Sequence, residues 1–72
     1  MGEKYPILKP QEIIAVLSKK GFILKSQKGS HAKYTDGAYN VIIPMHNVVA
    51  RGTLKSILVQ ANIELEEFLA LL

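Results

Sequence analysis

The dipeptide Asp36-Gly37 separates two segments, Ser30–Thr35 and Ala38–Ile43, whose side chains alternate between two characters. Alternation with a period of two is typical of strands that bury one face. An Asp-Gly pair between two such segments is a strong signal for a β-hairpin. Pro44 ends the second segment, because proline cannot donate a hydrogen bond to a ladder. The sequence therefore predicts an antiparallel hairpin in the middle of the chain.

The residues before this hairpin predict a helix and a further strand. Pro10 suits the first position of a helix that continues to Lys20, and Gly21 can adopt the left-handed conformation that ends it. The bulky segment Phe22–Gln27 then predicts a strand. Lys28-Gly29-Ser30 is interpreted as a short connection or a β-bulge that needs small residues.

Helical spacing returns after the predicted loop Met45–Ala50. A second helix is expected from about Arg51–Thr53, with Asn62 as its cap, and a last short helix is expected from Glu64. The apolar residues of the second helix recur at positions i, i+3, i+4 and i+7: Leu54, Ile57, Leu58 and Ala61. We therefore expect one α+β domain over residues 1–72. It has α-β-β-β-α order, a three-stranded antiparallel sheet, helices on one sheet face and a short C-terminal helix.

The composition excludes several classes of site. The chain has 72 residues, no cysteine and two histidines, so it offers no disulfide framework and no thiolate zinc site. We expect neither a metal nor a cofactor. No segment has the length and apolarity of a membrane span, and Met1 to Pro10 lacks the apolar core of a signal peptide. The expectation is a cytoplasmic protein without a membrane partner.

Charge is distributed unevenly along the chain. All nine basic residues lie within residues 1–55, whereas three of the six acidic residues are concentrated near the C-terminus. Five lysines follow one another without an intervening acid: Lys19, Lys20, Lys25, Lys28 and Lys33. Such a run forms either a solvated face or a surface that binds phosphate groups.

His31 is the residue in this basic region that can carry chemistry. Histidine exchanges protons near neutral pH, and the neighbouring lysines attract anions. Strand alternation predicts Lys33 on the same face as His31 and Tyr34 on the opposite, core face. The site interpretation is an acid–base histidine on the open sheet face. The alternative is an exposed strand histidine without a role.

Two further segments are candidates for the same surface. The start of the second helix combines free backbone N–H groups with Arg51, Thr53 and Lys55, which predicts an anion site; ordinary capping by Thr53 is the alternative. His46 is expected beyond the His31 end of the sheet. It is a second candidate for proton transfer, or it caps a helix or contacts a partner.

Several short segments in this order resemble the HicA (YcfA-like) mRNA interferase toxin family. The similarity extends over nearly the whole chain and rests on these residues: Gly21-Phe22, Gly29-Ser30-His31, Tyr34, Ile43-Pro44-Met45-His46, Gly52-Thr53-Leu54-Lys55-Ser56-Ile57-Leu58 and Glu66-Glu67-Phe68-Leu69. The resemblance implies a fold like that of double-stranded-RNA-binding domains (dsRBD-like). It also implies cleavage of mRNA without an evident metal or cofactor, and neutralisation by a HicB-type antitoxin.

The resemblance also implies that His31 is the catalytic residue, and our residue analysis adds Lys33 and His46 as candidate assistants. The predicted RNA-binding residues are Lys25, Lys28, Gly29, Ser30, Lys33, Arg51, Thr53 and Lys55. The alternative function is a non-catalytic RNA-binding or protein-interaction module on the same fold, since a fold does not fix an activity.

Overall fold

The computed structural model describes residues 5–72, which form three helices and three strands. In chain order these are α1 (Pro10–Lys19), β1 (Ile23–Lys28), β2 (His31–Thr35), β3 (Asn40–Pro44), α2 (Arg51–Ala61) and α3 (Leu65–Leu71). The order confirms the predicted α+β class with its short C-terminal helix. The single domain over residues 1–72 stays a prediction, and its first four residues lie outside the described part of the chain.

Helix α1 ends where the sequence predicted, in a left-handed turn at Gly21. The φ angle of Gly21 is +90°. The Gly21 N–H donates to the Ser18 carbonyl (3.1 Å), and the Phe22 N–H donates to the Leu17 carbonyl (3.0 Å). These two bonds are those of a Schellman motif, which satisfies carbonyls that the helix leaves free. The chain thereby turns directly into β1.

The three strands form one antiparallel sheet in the order β1-β2-β3. Strand β1 is an edge strand, and all six of its residues are exposed. The register with β2 shifts between Leu24 and Ser26, so Lys25 is the extra residue of a β-bulge. A bulge bends a strand and interrupts its regular row of backbone groups, which discourages edge-to-edge pairing.

The connection between β2 and β3 comprises residues 36–39, two residues more than the predicted Asp-Gly turn. Asp36 Oδ1 accepts hydrogen bonds from the N–H groups of Ala38 (2.9 Å) and Tyr39 (2.8 Å). The Thr35 hydroxyl donates to the Tyr39 carbonyl (2.8 Å) and accepts from the Gly37 N–H (3.0 Å). Because side chains engage these backbone groups, the first two residues of the predicted strand close the loop instead of pairing with β2.

Alternation along β2 and β3 separates a core face of the sheet from an open face. Ala32, Val41 and Ile43 are buried on the core face, whereas Ile42, next to both of the latter, remains 37% exposed. Helix α2 packs on β3, α3 packs on α1, and buried residues of all three helices join the core face in one cluster. The largest fully buried side chains of this core are Phe68, Ile13, Leu17, Ile43, Leu54, Ile57, Val16, Val41 and Val49.

Helix α2 runs antiparallel to β3. Near its end, Gln60 Oε1 accepts a hydrogen bond from the Ile42 N–H (3.2 Å), and beyond it Asn62 Nδ2 donates to the Tyr39 hydroxyl (3.2 Å). The start of α2 therefore lies at the opposite end, where Pro44 leads out of the sheet. Gln60 also occupies a backbone donor on the outer edge of β3.

The starts of α1 and α2 meet at one end of the molecule. The Val49 N–H donates to the Leu8 carbonyl (2.7 Å), so the residues just before the two helices form a short antiparallel bridge. Since β2 begins opposite the end of β3, the same end also holds His31. We call this part of the molecule the His31 end.

Helix α3 is fixed to the far end of α1. Phe68 is fully buried in the common core. Lys19 Nζ donates to the Leu71 carbonyl (2.8 Å), and the Lys20 ammonium forms an ion pair with Glu67. Within residues 5–72, none of the helices is long and apolar enough to cross a membrane.

Candidate functional site

His31 is the first residue of β2 and is exposed on the open face of the sheet. It follows the Gly29-Ser30 turn directly, and its cross-strand partners are Lys28 on β1 and Pro44 on β3. Residues directly opposite each other in a sheet have Cβ atoms about 4.5–5.5 Å apart. The Lys28 side chain is therefore a close neighbour of the imidazole.

The turn that precedes His31 depends on Gly29. Lys28 pairs with His31, so Gly29 and Ser30 form a two-residue hairpin loop. Gly29 has φ +60°, whereas Ser30 has a negative φ, the combination that a type II′ turn requires. Of the two interpretations of Lys28-Gly29-Ser30, the bulge is wrong, because the bulge lies at Lys25.

The predicted alternation along β2 is confirmed. Ala32 is buried and Tyr34 packs against the core, whereas Lys33 is half-buried and shares the face of His31. Lys33 pairs with Ser26 of β1 and Ile42 of β3. Lys33 therefore shares the open face with His31 and lies two residues further along the strand.

The run of five lysines does not form one surface. Lys19 and Lys20 contact α3 through the Leu71 carbonyl and the Glu67 carboxylate, at the end of α1 away from His31. Lys25, Lys28 and Lys33 belong to the sheet. The structure therefore divides the basic run into two lysines that hold α3 and three that surround the open face.

No side chain caps the start of α2, so the alternative of capping by Thr53 is wrong. Thr53 does not cap the helix; Ala50 is the N-cap residue and makes no side-chain hydrogen bond. Thr53 is half-buried in the first turn, which contains no acidic residue. Arg51 Nε donates to the Tyr5 carbonyl (2.9 Å), and Lys55 is exposed.

His46 lies in the loop at the His31 end, two residues beyond Pro44. The Met45 N–H donates to the Ser30 carbonyl (2.6 Å), which continues the pairing of β3 alongside the Gly29-Ser30 turn. His46 is exposed and lines a groove of about 520 Å³. The groove brings in two residues that the sequence analysis missed, Gln11 and Asn47.

The carboxylate of Asp36 stabilises the loop between β2 and β3 and lies away from His31. Asp36 has its pKa lowered by the N–H groups of Tyr39 and Ala38, which stabilise the carboxylate. This loop lies at the opposite end of the sheet from His31. In the part of the chain that the structure describes, no three His, Cys, Asp or Glu side chains form a cluster suited to a metal ion.

Comparison with known proteins gives one family. The family model described as HicA toxin of bacterial toxin-antitoxin matches residues 10–63, three quarters of the chain. The match includes His31, the sheet and the whole of α2. A comparison with curated proteins finds no significant match.

Proposed function

The chain belongs to the HicA toxin family of bacterial toxin–antitoxin systems. From this premise we propose that it is an endoribonuclease that cleaves mRNA with His31 as its catalytic residue. The observation that carries the proposal is the exposed position of His31 at a tight turn, directly opposite Lys28. A histidine with cationic neighbours on an open surface suits a phosphodiester substrate, whose own 2′-hydroxyl can serve as the nucleophile.

The proposed reaction needs one base and one acid. The His31 imidazole accepts the 2′-hydroxyl proton, and the 2′-oxygen forms a bond to the adjacent phosphorus while the bond from phosphorus to the 5′-oxygen breaks. The 5′-oxygen takes up a proton, so the products are a 2′,3′-cyclic phosphate and a 5′-hydroxyl. Positioned acid–base catalysis typically contributes about 10²–10⁴-fold. Lys33 and His46 are the candidate assistants that donate the second proton.

The cationic groups around His31 supply the remaining stabilisation. Lys28 lies opposite His31 and Lys33 lies on the same face two residues along β2, from where an ammonium group can offset the charge that develops on the phosphorane. Gly29 and Ser30 present a turn without bulky side chains to the RNA backbone. Lys25, at the bulge of β1, extends the basic surface along the sheet.

The start of α2 provides the second proposed contact with the RNA backbone. Its free N–H groups have no side-chain cap, and the first five residues of the helix include two cations, Arg51 and Lys55, and the Thr53 hydroxyl. The positive end of a helix dipole favours phosphate.

The distribution of charge also supports a partner, a HicB-type antitoxin that covers the basic face. We further propose that the protein acts in the cytoplasm, without a metal ion or cofactor.

The test compares wild-type protein with His31→Ala after tightly controlled expression. We expect wild-type protein to arrest growth and fragment transcripts, and the variant to do neither. Purified wild-type protein should release 2′,3′-cyclic phosphate ends in the presence of EDTA. Because His31 is exposed, the variant should keep the wild-type Tm.

Two outcomes would contradict this proposal in different ways. Wild-type protein that binds RNA without cleaving it would favour the non-catalytic module. A His31→Ala protein that remains fully toxic would overturn the assignment of the catalytic residue. Lys33→Gln and His46→Ala test the two candidate assistants in the same assay: a variant that cleaves at the wild-type rate has not lost the donor of the second proton.

A further inference from the structure

The groove at the His31 end is held open by backbone hydrogen bonds at both ends of the loop Met45–Val49. At one end the Met45 N–H is bound to the Ser30 carbonyl, the residue before His31; at the other, the Val49 N–H is bound to the Leu8 carbonyl. The loop therefore cannot collapse onto the start of α1 without breaking these bonds. The volume of the groove, about 520 Å³, lies within the range of small-molecule sites, about 300–1,000 Å³.

The side chains that line the groove form an unusual combination for a surface of this size. They are two amides, an imidazole, an ammonium group, a thioether and a valine: Gln11, Asn47, His46, Lys9, Met45 and Val48. No carboxylate lines it, and the nearby Glu12 carboxylate accepts a hydrogen bond from the Lys9 backbone N–H (2.8 Å). Within residues 5–72, no hydrogen bond engages the amide of Gln11 or Asn47.

This combination matches the parts of a nucleotide. A nucleobase in single-stranded RNA stacks on aromatic side chains, including histidine, and is hydrogen-bonded along its edges. A carboxamide offers a donor and an acceptor side by side, the arrangement that pairs with a base edge. Met45 and Val48 supply apolar surface, and the Lys9 ammonium supplies a positive charge that can pair with a phosphate. A phosphate alone would leave the amides and apolar groups unused.

We propose that this groove binds the nucleobase of a nucleotide that flanks the scissile phosphate, with Gln11 and Asn47 as its specificity-determining residues. The position of the base beside a cleaved phosphate rests on the proposed function, whereas the binding of the base does not. The link to the reaction is the Met45–Ser30 hydrogen bond, which places Met45, a lining residue of the groove, beside the residue that precedes His31. A base held there fixes which phosphate reaches the imidazole.

The first experiment needs no cleavage. The backbone amide resonances of Asn47 and Val48 are followed by NMR during titration with each of the four nucleoside 5′-monophosphates and with ribose 5-phosphate. We expect larger shifts with at least one nucleotide than with ribose 5-phosphate, and loss of this difference in Gln11→Ala/Asn47→Ala. Equal shifts with ribose 5-phosphate would make the groove a phosphate site and overturn the proposal. Shifts with none of these ligands would overturn it too.

The second experiment uses the sequence distribution of cleavage sites in a mixed RNA. Asn47→Ala should reduce cleavage at the preferred site about tenfold relative to other sites, since each paired base edge gives roughly that discrimination. Asn40→Ala removes an exposed amide from the other end of the sheet and should leave the distribution unchanged. An unchanged distribution in Gln11→Ala and Asn47→Ala would overturn the proposal. The proposed function would stand if His31→Ala still abolished cleavage.

Discussion

At the scale of single residues, Gly29 holds His31 in place. Its φ of +60° is strained for residues with a Cβ, although a Cβ there would meet no atom within 4 Å. Gly29→Ala should therefore cost about 1–2 kcal/mol of unfolding free energy through backbone strain alone. Urea unfolding measures this difference.

A second glycine provides the matched control. Gly52 lies within α2 without a positive φ, and a Cβ there also meets nothing within 4 Å. Gly52→Ala should therefore stabilise the protein, by up to about 1 kcal/mol, because alanine is the better helix former. Equal effects of alanine at the two positions would contradict the role assigned to Gly29.

Asp36 makes the stability of the protein sensitive to acid. The backbone N–H groups of Tyr39 and Ala38 hold the pKa of its carboxyl below the ordinary value. Its contribution is therefore fully present above the pKa of the unfolded chain, about 3.9, and is lost as the pH falls through the lower folded pKa. Asp36→Asn keeps an acceptor oxygen but cannot titrate. Its Tm should decrease less steeply than that of wild type below about pH 4, and parallel curves would contradict this.

At the scale of elements, the first turn of α2 is unusual because Ala50 precedes it without capping it. Ala50 has the extended conformation of an N-cap residue, φ −65° and ψ 158°. Ala50→Ser and Ala50→Asp should each stabilise the protein by about 0.5–2 kcal/mol. Both occupy N–H groups that we assign to phosphate, and Asp also adds a negative charge. RNA affinity should therefore decrease in Ala50→Ser and decrease further in Ala50→Asp.

The measurements for Ala50 are thermal unfolding and the Kd for a short single-stranded RNA. A variant with a higher Tm and the wild-type Kd would show that the start of α2 does not contact the RNA backbone. Val59→Ala, a change at an exposed residue in the last turn of the same helix, serves as the control and should alter neither RNA affinity nor the start of the helix.

Local sequence patterns were sufficient to predict the helices and strands but not the β-bulge in β1 or the length of the loop before β3. Gly21 and the alternation in β2 act through neighbouring residues, so the pattern alone predicted them. The bulge at Lys25 depends on how two strands align, and no residue type marks it. The two extra residues before β3 follow from hydrogen bonds made by the Asp36 and Thr35 side chains, which compete with strand pairing.

At the scale of the whole molecule, the division of the lysines predicts how RNA binding depends on salt. Lys28 and Lys33 lie beside His31, whereas Lys19 donates to the Leu71 carbonyl at the far end of α1. Lys28→Gln and Lys33→Gln should each weaken RNA binding. Each should also reduce the slope of log K against log salt by about 0.7, the value per phosphate contact for single strands.

Lys19→Gln is the control for this measurement and should leave the slope unchanged. An equal change in the slope for all three variants would show that RNA responds to net charge rather than to the open face. The sequence could not make this distinction, because the lysines that contact α3 and those on the sheet follow one another without a break. The candidate groove was hidden for the same reason, since Gln11 and Asn47 meet only through the bridge between Leu8 and Val49.

The two edges of the sheet differ, and this difference limits how copies of the chain can assemble. Gln60 occupies the Ile42 N–H on the β3 edge, and Pro44 has no N–H to offer there, while β1 is exposed along its whole length. Head-to-tail stacking of β1 on the β3 of the next copy would have to displace Gln60. Growth of that kind produces open-ended fibres, whereas β1 against β1 closes after two copies. The occupied Ile42 N–H and the missing N–H of Pro44 therefore discourage open-ended growth through the sheet.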